Sequence, residues 1–401
     1  MRQSLRFTLT FGALMAVGPF AINMYLPSLP TLQRTFDATP TEVQLTLAVY
    51  FIGMALGQMP YGTLADRWGR RPPMLLGMII FTVASVGCAL ADSVFALAGW
   101  RFLQALGGCS VMVVVRAIIR DLFSPLEGAR VFSTLLLVMG VAPIIGPLVG
   151  GWVLVGLGWR AIFWSLTIYG VASVLTIWFA FPETRKPAAG ANKPRDPLLT
   201  QLRLLMTDRV FVGNSLAGGL SQTTMFAYIA GSPYVFIEYF GVAPESYGWL
   251  FGINAFGLIA ASQLNRVLLS RLGLESVLMI TSAIGAVAGV ILLAVAITGV
   301  GGLAGIMLPL FFCVAVMGFV FPNTSAAAMA SHPERAGLAS GVLGTMQFAM
   351  GAIASFLVGA LHAQSAIPLA AIICVTTVSG VLARRIIVPR GHAGKPARQR
   401  H

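Results

Sequence analysis

The sequence predicts an all-α membrane protein, with twelve transmembrane helices in two pseudo-symmetric six-helix bundles. Three observations predict it. Of 401 residues, 57% are hydrophobic and only 10% charged, whereas a soluble domain carries about 25% charged residues. Twelve mostly apolar runs approach or exceed the roughly 20 residues that a helix needs to cross the hydrocarbon core. Basic residues gather in alternate loops between those runs, the asymmetry that orients membrane proteins.

In chain order the runs are 7–27, 43–63, 74–92, 95–117, 131–155, 161–181, 210–236, 246–265, 275–298, 303–323, 337–361 and 367–388. The first is read as a retained helix, because no small-residue cleavage site with a mature domain behind it follows. With a cytoplasmic N-terminus, every Lys and Arg except Arg34, Arg101, Arg116 and Arg160 falls on the cytoplasmic side. A wrong span count would scramble that alternation. Residues 1–181 form the first bundle, 182–209 a polar cytoplasmic linker, 210–388 the second bundle and 389–401 a basic cytoplasmic tail. The halves echo one another at an offset of 204: Leu64 to Gly69 matches Leu268 to Gly273, and Gly53 matches Gly257. Parallel six-span repeats are a transporter plan, with the substrate site between the halves near the midplane.

Composition excludes other classes. The net charge of +13 comes from arginines placed between apolar runs, which is topology and not a nucleic-acid surface. Cys88, Cys109, Cys313 and Cys374 lie inside apolar runs without a CxxC pair, so neither a metal nor a redox centre is expected. No GxxxxGK[ST] loop is present to hold ATP. A channel would need a filter or charge ring, and a membrane enzyme would need clustered His or carboxylates. Neither is found, so no enzyme and no cofactor are expected.

Several residues carry chemistry. Arg101 lies about 9 Å into the fourth span at 1.5 Å per residue, where a charge is expensive and faces an interior partner. Arg116, near the other end of that span, is placed either to act or to snorkel. Asp66, beside Arg67, Arg70 and Arg71, could accept from the N-terminus of the eleventh helix near Gly337, where the helix dipole favours an anion. Gly146, Pro147, Gly150 and Gly151 allow close helix approach and a bend in the fifth helix. Tyr50, Gln58, Gln222, Tyr228, Tyr234, Asn254, Asn323 and Gln347 are polar residues within spans, read as cavity lining or interhelical glue.

The stretch Gly62-Thr63-Leu64-Ala65-Asp66-Arg67-Trp68-Gly69-Arg70-Arg71 resembles the loop motif of the major facilitator superfamily. Arg101-x-x-Gln104-x-x-Gly107-Gly108 is similar to its fourth-helix motif, and Gly146-Pro147-x-x-Gly150-Gly151 to the fifth-helix motif of its exporters. Finer features resemble the bicyclomycin-resistance (Bcr/CflA) group of bacterial drug:proton antiporters. They are Met24-Tyr25-Leu26-Pro27-x-x-Pro30, Arg116 to Asp121, Trp159-Arg160, Pro182-Glu183-Thr184 and Phe251-Gly252-x-Asn254. The resemblance implies the major facilitator fold and alternating access. It makes Gly62, Asp66, Arg67, Gly69, Arg70 and Arg71 a conformational latch. It places substrate and proton coupling at position 23, Tyr25, Arg101, Gln104 and Arg116. It further implies small amphipathic drugs as substrates, a proton gradient as driving force, and a monomer in the bacterial inner membrane with both termini cytoplasmic. A metabolite or sugar efflux carrier of the same superfamily is the alternative.

One position departs from the group. Where its members carry an Asp before Met-Tyr-Leu-Pro, this chain has Asn23, about 6 Å inside the first span and near the depth of Arg101. An amide can hydrogen-bond to a guanidinium, but it neither neutralises the charge nor carries a proton. No other span holds an acid or a His near its centre. Asn23 is either an engineered neutral mimic of a protonated Asp or a residue of a natural carrier that couples by another route or couples poorly.

Overall fold

Lipid offers no hydrogen bonds to the backbone, so a chain this apolar must satisfy its peptide groups within helices. In a computed structural model, which describes residues 2–123, 125–180, 183, 198–330, 332, 336–361 and 365–388, it does so. The helices are α1 (Arg2–Asn23), α2 (Leu29–Thr35), α3 (Pro40–Trp68), α4 (Arg71–Leu90), α5 (Val94–Leu122), α6 (Pro125–Leu157), α7 (Trp159–Ala180), α8 (Leu198–Thr207), α9 (Arg209–Pro233), α10 (Pro244–Thr298), α11 (Gly302–Ala330), α12 (Ala336–Ala360) and α13 (Ile367–Ile387). Each of the twelve expected spans falls on this series. α3 starts where its sequence says it should: Thr39 and Glu42 form a reciprocal capping box with Pro40 in the first turn, satisfying donors a helix start leaves open. At α5 the Ser93 hydroxyl accepts from the amide of Ala96.

Three local differences from the sequence reading have physical causes. The Met24-Tyr25-Leu26-Pro27 stretch does not close the first span. It interrupts it with a 3-10 turn, Leu26–Ser28, after which α2 continues to Thr35. Pro27 and Pro30 lack the amides that a continuous helix would need there. The polar linker contains α8, a short helix whose Leu205 is fully buried against Phe211, Ala328 and Ala339. The eighth and ninth spans are the two arms of α10, separated by a kink at Gly273 as the sequence reading has them. A π-helical turn, Tyr234–Tyr239, follows Pro233 at the end of α9.

The chain divides into two compact units. The first contains residues 1–191, 229–252 and 355–362, and the second contains 192–228, 253–354 and 363–401. Compact packing therefore draws the ends of α9, α10 and α12 into the unit built mainly from the first half. The outward surfaces are apolar: Leu157, Ile168 and Phe179 in the first unit, and Val300, Leu308 and Ile386 in the second, are largely exposed. Large contiguous apolar surface of this kind marks a membrane-facing protein. Among the described residues, nine helices are long and apolar enough to cross a membrane, the 55-residue α10 counting once. α9 is not one of them, because Asn214, Ser215, Ser221, Gln222, Thr223, Thr224 and Ser232 interrupt it.

The repeat read at an offset of 204 is geometric as well as textual. Gly69 has φ 92° and ψ 177°, and Gly273 has φ 73° and ψ 164°, a region open essentially to glycine alone. Each turns the chain from one span into the next. Gly53 meets the backbone carbonyl of Phe102 on α5, and Gly257 meets the Phe311 ring on α11, so the equivalent glycine faces the equivalent neighbouring helix in each half.

Gly273→Ala should lower the stability of the detergent-solubilised protein by about 1–3 kcal/mol from backbone strain alone. Gly69→Ala should lower it further, because a Cβ there displaces the Glu183 carboxylate from the amides of Arg70 and Arg71. Thermal unfolding of both variants checks the order; equal losses would refute the added clash.

Candidate functional site

Arg101 is the residue around which the first unit is organised. α5 places it one turn below Leu97, in a side-chain shell where its solvent exposure is zero. Three rings surround the guanidinium carbon: Tyr50 at 4.1 Å, Tyr25 at 4.5 Å and Phe163 at 6.0 Å. Desolvated cation–π contacts contribute about 2 kcal/mol. Nη1 donates to the Ala21 carbonyl at 3.0 Å and to Oε1 of Gln104 at 2.7 Å. Gln104 then donates from Nε2 to the Ser85 hydroxyl at 2.8 Å, which donates to the Phe81 carbonyl. The Tyr25 hydroxyl is fixed by Thr46 at 2.6 Å. Thr46 gives its own proton to the Val43 carbonyl, so Tyr25 is the donor in that pair.

What this shell lacks is a carboxylate. Among the described residues none makes an ion pair with Arg101, and its Nε and Nη2 have no hydrogen-bond partner. Each buried donor left this way costs about 1–3 kcal/mol. Asn23 does not supply the missing acceptor. Its side-chain amide donates back to the Pro19 carbonyl at 2.7 Å, and its Oδ1 is buried without a partner. The depth expected for Asn23 and Arg101 is shared through Ala21, two residues from Asn23, and not through a direct bond.

The Gly-Pro stretch of α6 is pressed against this same place. A Cβ on Gly146 would meet Cβ of Asn23 at 2.7 Å, and one on Gly150 would collide with the Met24 carbonyl. α6 runs as one helix with Pro143 and Pro147 inside it. Gly151 faces the Pro244 carbonyl at the start of α10, and Gly248 faces the Leu148 amide in return. These glycines thus set α1 and the start of α10 directly against α6.

The first unit is closed at the end that holds Arg34. Gln44, fully buried near the start of α3, donates to the Ala230 carbonyl at 2.6 Å. The Ser355 hydroxyl is placed to donate to the backbone oxygen or to Oε1 of Gln44, at 3.3 and 3.2 Å. Thr41 donates to the Gly359 carbonyl at 3.0 Å, and Arg34 pairs with Glu238 at 2.6 Å. The Ser232 and Tyr247 hydroxyls meet at 2.8 Å beneath them. Gln44 was not among the residues singled out from the sequence; a polar residue one turn into a capped helix reads as surface until its partners are known.

At the opposite end of α3, Arg70 lies between two acids. It donates from Nη1 to Asp66 at 2.8 Å and from Nε to Asp121 at 2.7 Å. Burial works against its charge, and the bonds to Asp121 and Asp66 outweigh it, holding its pKa above the ordinary value. Glu183 accepts from the amides of Arg70 and Arg71 at 2.8 and 3.1 Å, an anion at a helix N-terminus where the dipole favours it. Arg71 stacks on Trp178 and donates to its carbonyl, Arg67 is exposed, and Gly62 is half-buried. Gly337, the expected partner of Asp66, lies outside the residues whose side chains are described.

The remaining candidates scatter. Arg116 is exposed, Gln222 and Gln347 are half-buried, and Gln58 is buried with its Nε2 unpartnered. Tyr234 is buried in the π-helical turn of the first unit. In the second unit, Asn254 donates to the Tyr228 hydroxyl at 3.1 Å, and Asn323 exchanges two hydrogen bonds with Asn265. The glue reading therefore describes Asn254, Tyr228 and Asn323 in this arrangement.

Comparison with known proteins follows this geometry. The family profile described as Major Facilitator Superfamily matches residues 11–355. The chain is 31% identical over 384 residues to the bicyclomycin resistance protein homolog of Haemophilus influenzae, covering 96% of each chain. It is 31% identical over 343 residues to the multidrug resistance protein MdtL of Escherichia coli strain ED1a, covering 85% of each. Its backbone is similar to the xylose transporter XylE of Escherichia coli in a partially occluded inward open conformation, with a TM-score of 0.77 at 15% identity, covering 98% of this chain and 100% of the other.

Gln44→Ala removes two side-chain hydrogen bonds that help close the Arg34 end, about 2 kcal/mol at roughly 1 kcal/mol each. In a background without the four native cysteines, a Cys placed at buried Ser28 should react with a water-soluble maleimide about thirtyfold faster in this variant. An unchanged rate would mean that these bonds do not hold that end shut.

Proposed function

The chain belongs to the Major Facilitator Superfamily, and from that premise we propose that it is a bacterial multidrug exporter, a secondary active carrier of small amphipathic antimicrobials working by alternating access. The observation that carries this reading is the 31% identity, over nearly the whole length, to a bicyclomycin resistance protein homolog. The placement of Gly146 and Gly150 against Asn23 and Met24 supports it, since the exporter-type motif packs on the segment that bears the coupling position. The alternation of basic loops supports an inner-membrane location with the Asp66 end and both termini in the cytoplasm.

Two features of the chain fit alternating access. The Arg34 end is closed mainly by neutral hydrogen bonds, and the one ion pair among those described there, Arg34 with Glu238, is exposed. Exposed pairs contribute about 0–1 kcal/mol, so this end opens without separating buried charges. The Asp66 end holds a buried Arg70 shared between half-buried Asp121 and exposed Asp66, the group that the superfamily resemblance makes a latch.

Protons are the coupling ion this reading expects, and position 23 is where the related group carries one. Asn23 cannot do so. Asn23→Asp would place a titratable acid on the segment whose Ala21 carbonyl already holds Arg101.

A drug-susceptibility panel in a pump-deleted bacterium, with and without a protonophore, tests the reading. Expression should raise resistance to amphipathic antimicrobials severalfold, and Arg101→Gln should abolish the increase. Asn23→Asp should make efflux depend on external pH. No resistance to any compound by either form, with the protein present in the membrane, would overturn drug export.

A further inference from the structure

The unpartnered donors of Arg101 have a definite geometry. In a guanidinium, the Nε hydrogen and one Nη2 hydrogen lie parallel on one edge, a fork that matches the two oxygens of a carboxylate. In this protein the Nη1 side is taken by the Ala21 carbonyl and Gln104. The faces are turned to Tyr50 and Tyr25. The two nitrogens without a partner are Nε and Nη2, the pair that forms the fork. Arg101 is wholly buried, so neither nitrogen is served by bulk water.

We propose that this fork is the recognition site for the carboxylate of an organic monoanion, and that amphipathic aromatic or aliphatic acids are substrates of this carrier. The assignment rests on the export reading above. The aromatic rings of Tyr25, Tyr50 and Phe163 around the guanidinium supply the apolar wall that an amphipathic acid requires. In the closed arrangement the fork has no room exposed to solvent, so the acid enters when the unit opens and leaves before it closes. Asn23 is then a fitting residue. An Asp on this segment would compete with the substrate carboxylate for the same guanidinium, whereas the amide leaves it unoccupied.

The charge balance follows. A chain whose position 23 is neutral moves a monoanion without taking up a proton there, so one negative charge crosses per turnover. An inside-negative potential of 100 mV expels a monoanion about fiftyfold, from about 2.3 kcal/mol per charge. Export of such a substrate needs no carried proton.

The test uses the full chain, purified in detergent and then in proteoliposomes, with phenylacetate as probe and phenylacetamide as its neutral isostere. Phenylacetate should bind about ten to a hundred times more tightly than the amide, the range for a charged hydrogen-bonded pair. Asn23→Asp should weaken phenylacetate binding at pH 7.5 and not that of phenylacetamide; a merely structural effect would weaken both. Arg101→Gln should abolish the preference for acid over amide. In liposomes, phenylacetate should give a current whose sign follows the substrate and which a potassium diffusion potential drives. Equal affinity for acid and amide overturns the proposal. Displacement of phenylacetate by chloride at equal concentration also overturns it, since the fork would then hold an inorganic counter-ion. Efflux of neutral drugs without phenylacetate binding removes the carboxylate assignment and leaves drug export standing. Phenylacetate binding and current without drug resistance does the reverse.

Discussion

A full positive charge held out of water governs the first half of this molecule. Arg101 has zero exposure, and an ion so placed loses several kcal/mol of hydration that its surroundings must replace. The surroundings that do so come from α1, α3, α5 and α7: a carbonyl, an amide side chain and three rings. Gln104 is in turn tied to α4 through Ser85. One residue thereby sets the mutual approach of five helices, and any movement of α1 against α5 must first change the environment of that charge.

The exporter-type glycines extend the same constraint. Gly146 and Gly150 bring the α6 backbone onto Asn23 and Met24, just before the 3-10 turn that interrupts the first span. Gly151 and Gly248 carry the contact on to the start of α10. The segment that presents Ala21 to Arg101 is therefore packed, through α6, on an element belonging to the closed end. One stretch of backbone thus serves both the Arg101 shell and the packing at the Arg34 end.

The helices were readable from the chain because length and apolarity are local properties, and the basic loops needed only counting. Arg101 was readable because an arginine in an apolar run is conspicuous. The repeat was readable as text and became a pair of matching backbone bends at Gly69 and Gly273. The partners were not readable. Ser85, the Ala21 carbonyl, Gln44 and Glu183 acquire their roles from contacts across tens to hundreds of residues. Asn23 shows the limit most clearly. Sequence placed it near Arg101, yet its amide turns back to its own helix at Pro19, since a carbonyl four residues earlier is within reach without any tertiary adjustment.

The two glycine bends also differ in a respect that backbone angles conceal. Around Gly69 the chain places Asp66 and Arg70, tied to Asp121 and Glu183. At the matching positions around Gly273 stand Ser270 and Leu274. Glu275, at the position matching Arg71, instead pairs with Arg384. Screening by salt therefore meets an arginine shared between two acids at one bend and a single ion pair at the other, although the two bends have nearly the same backbone form.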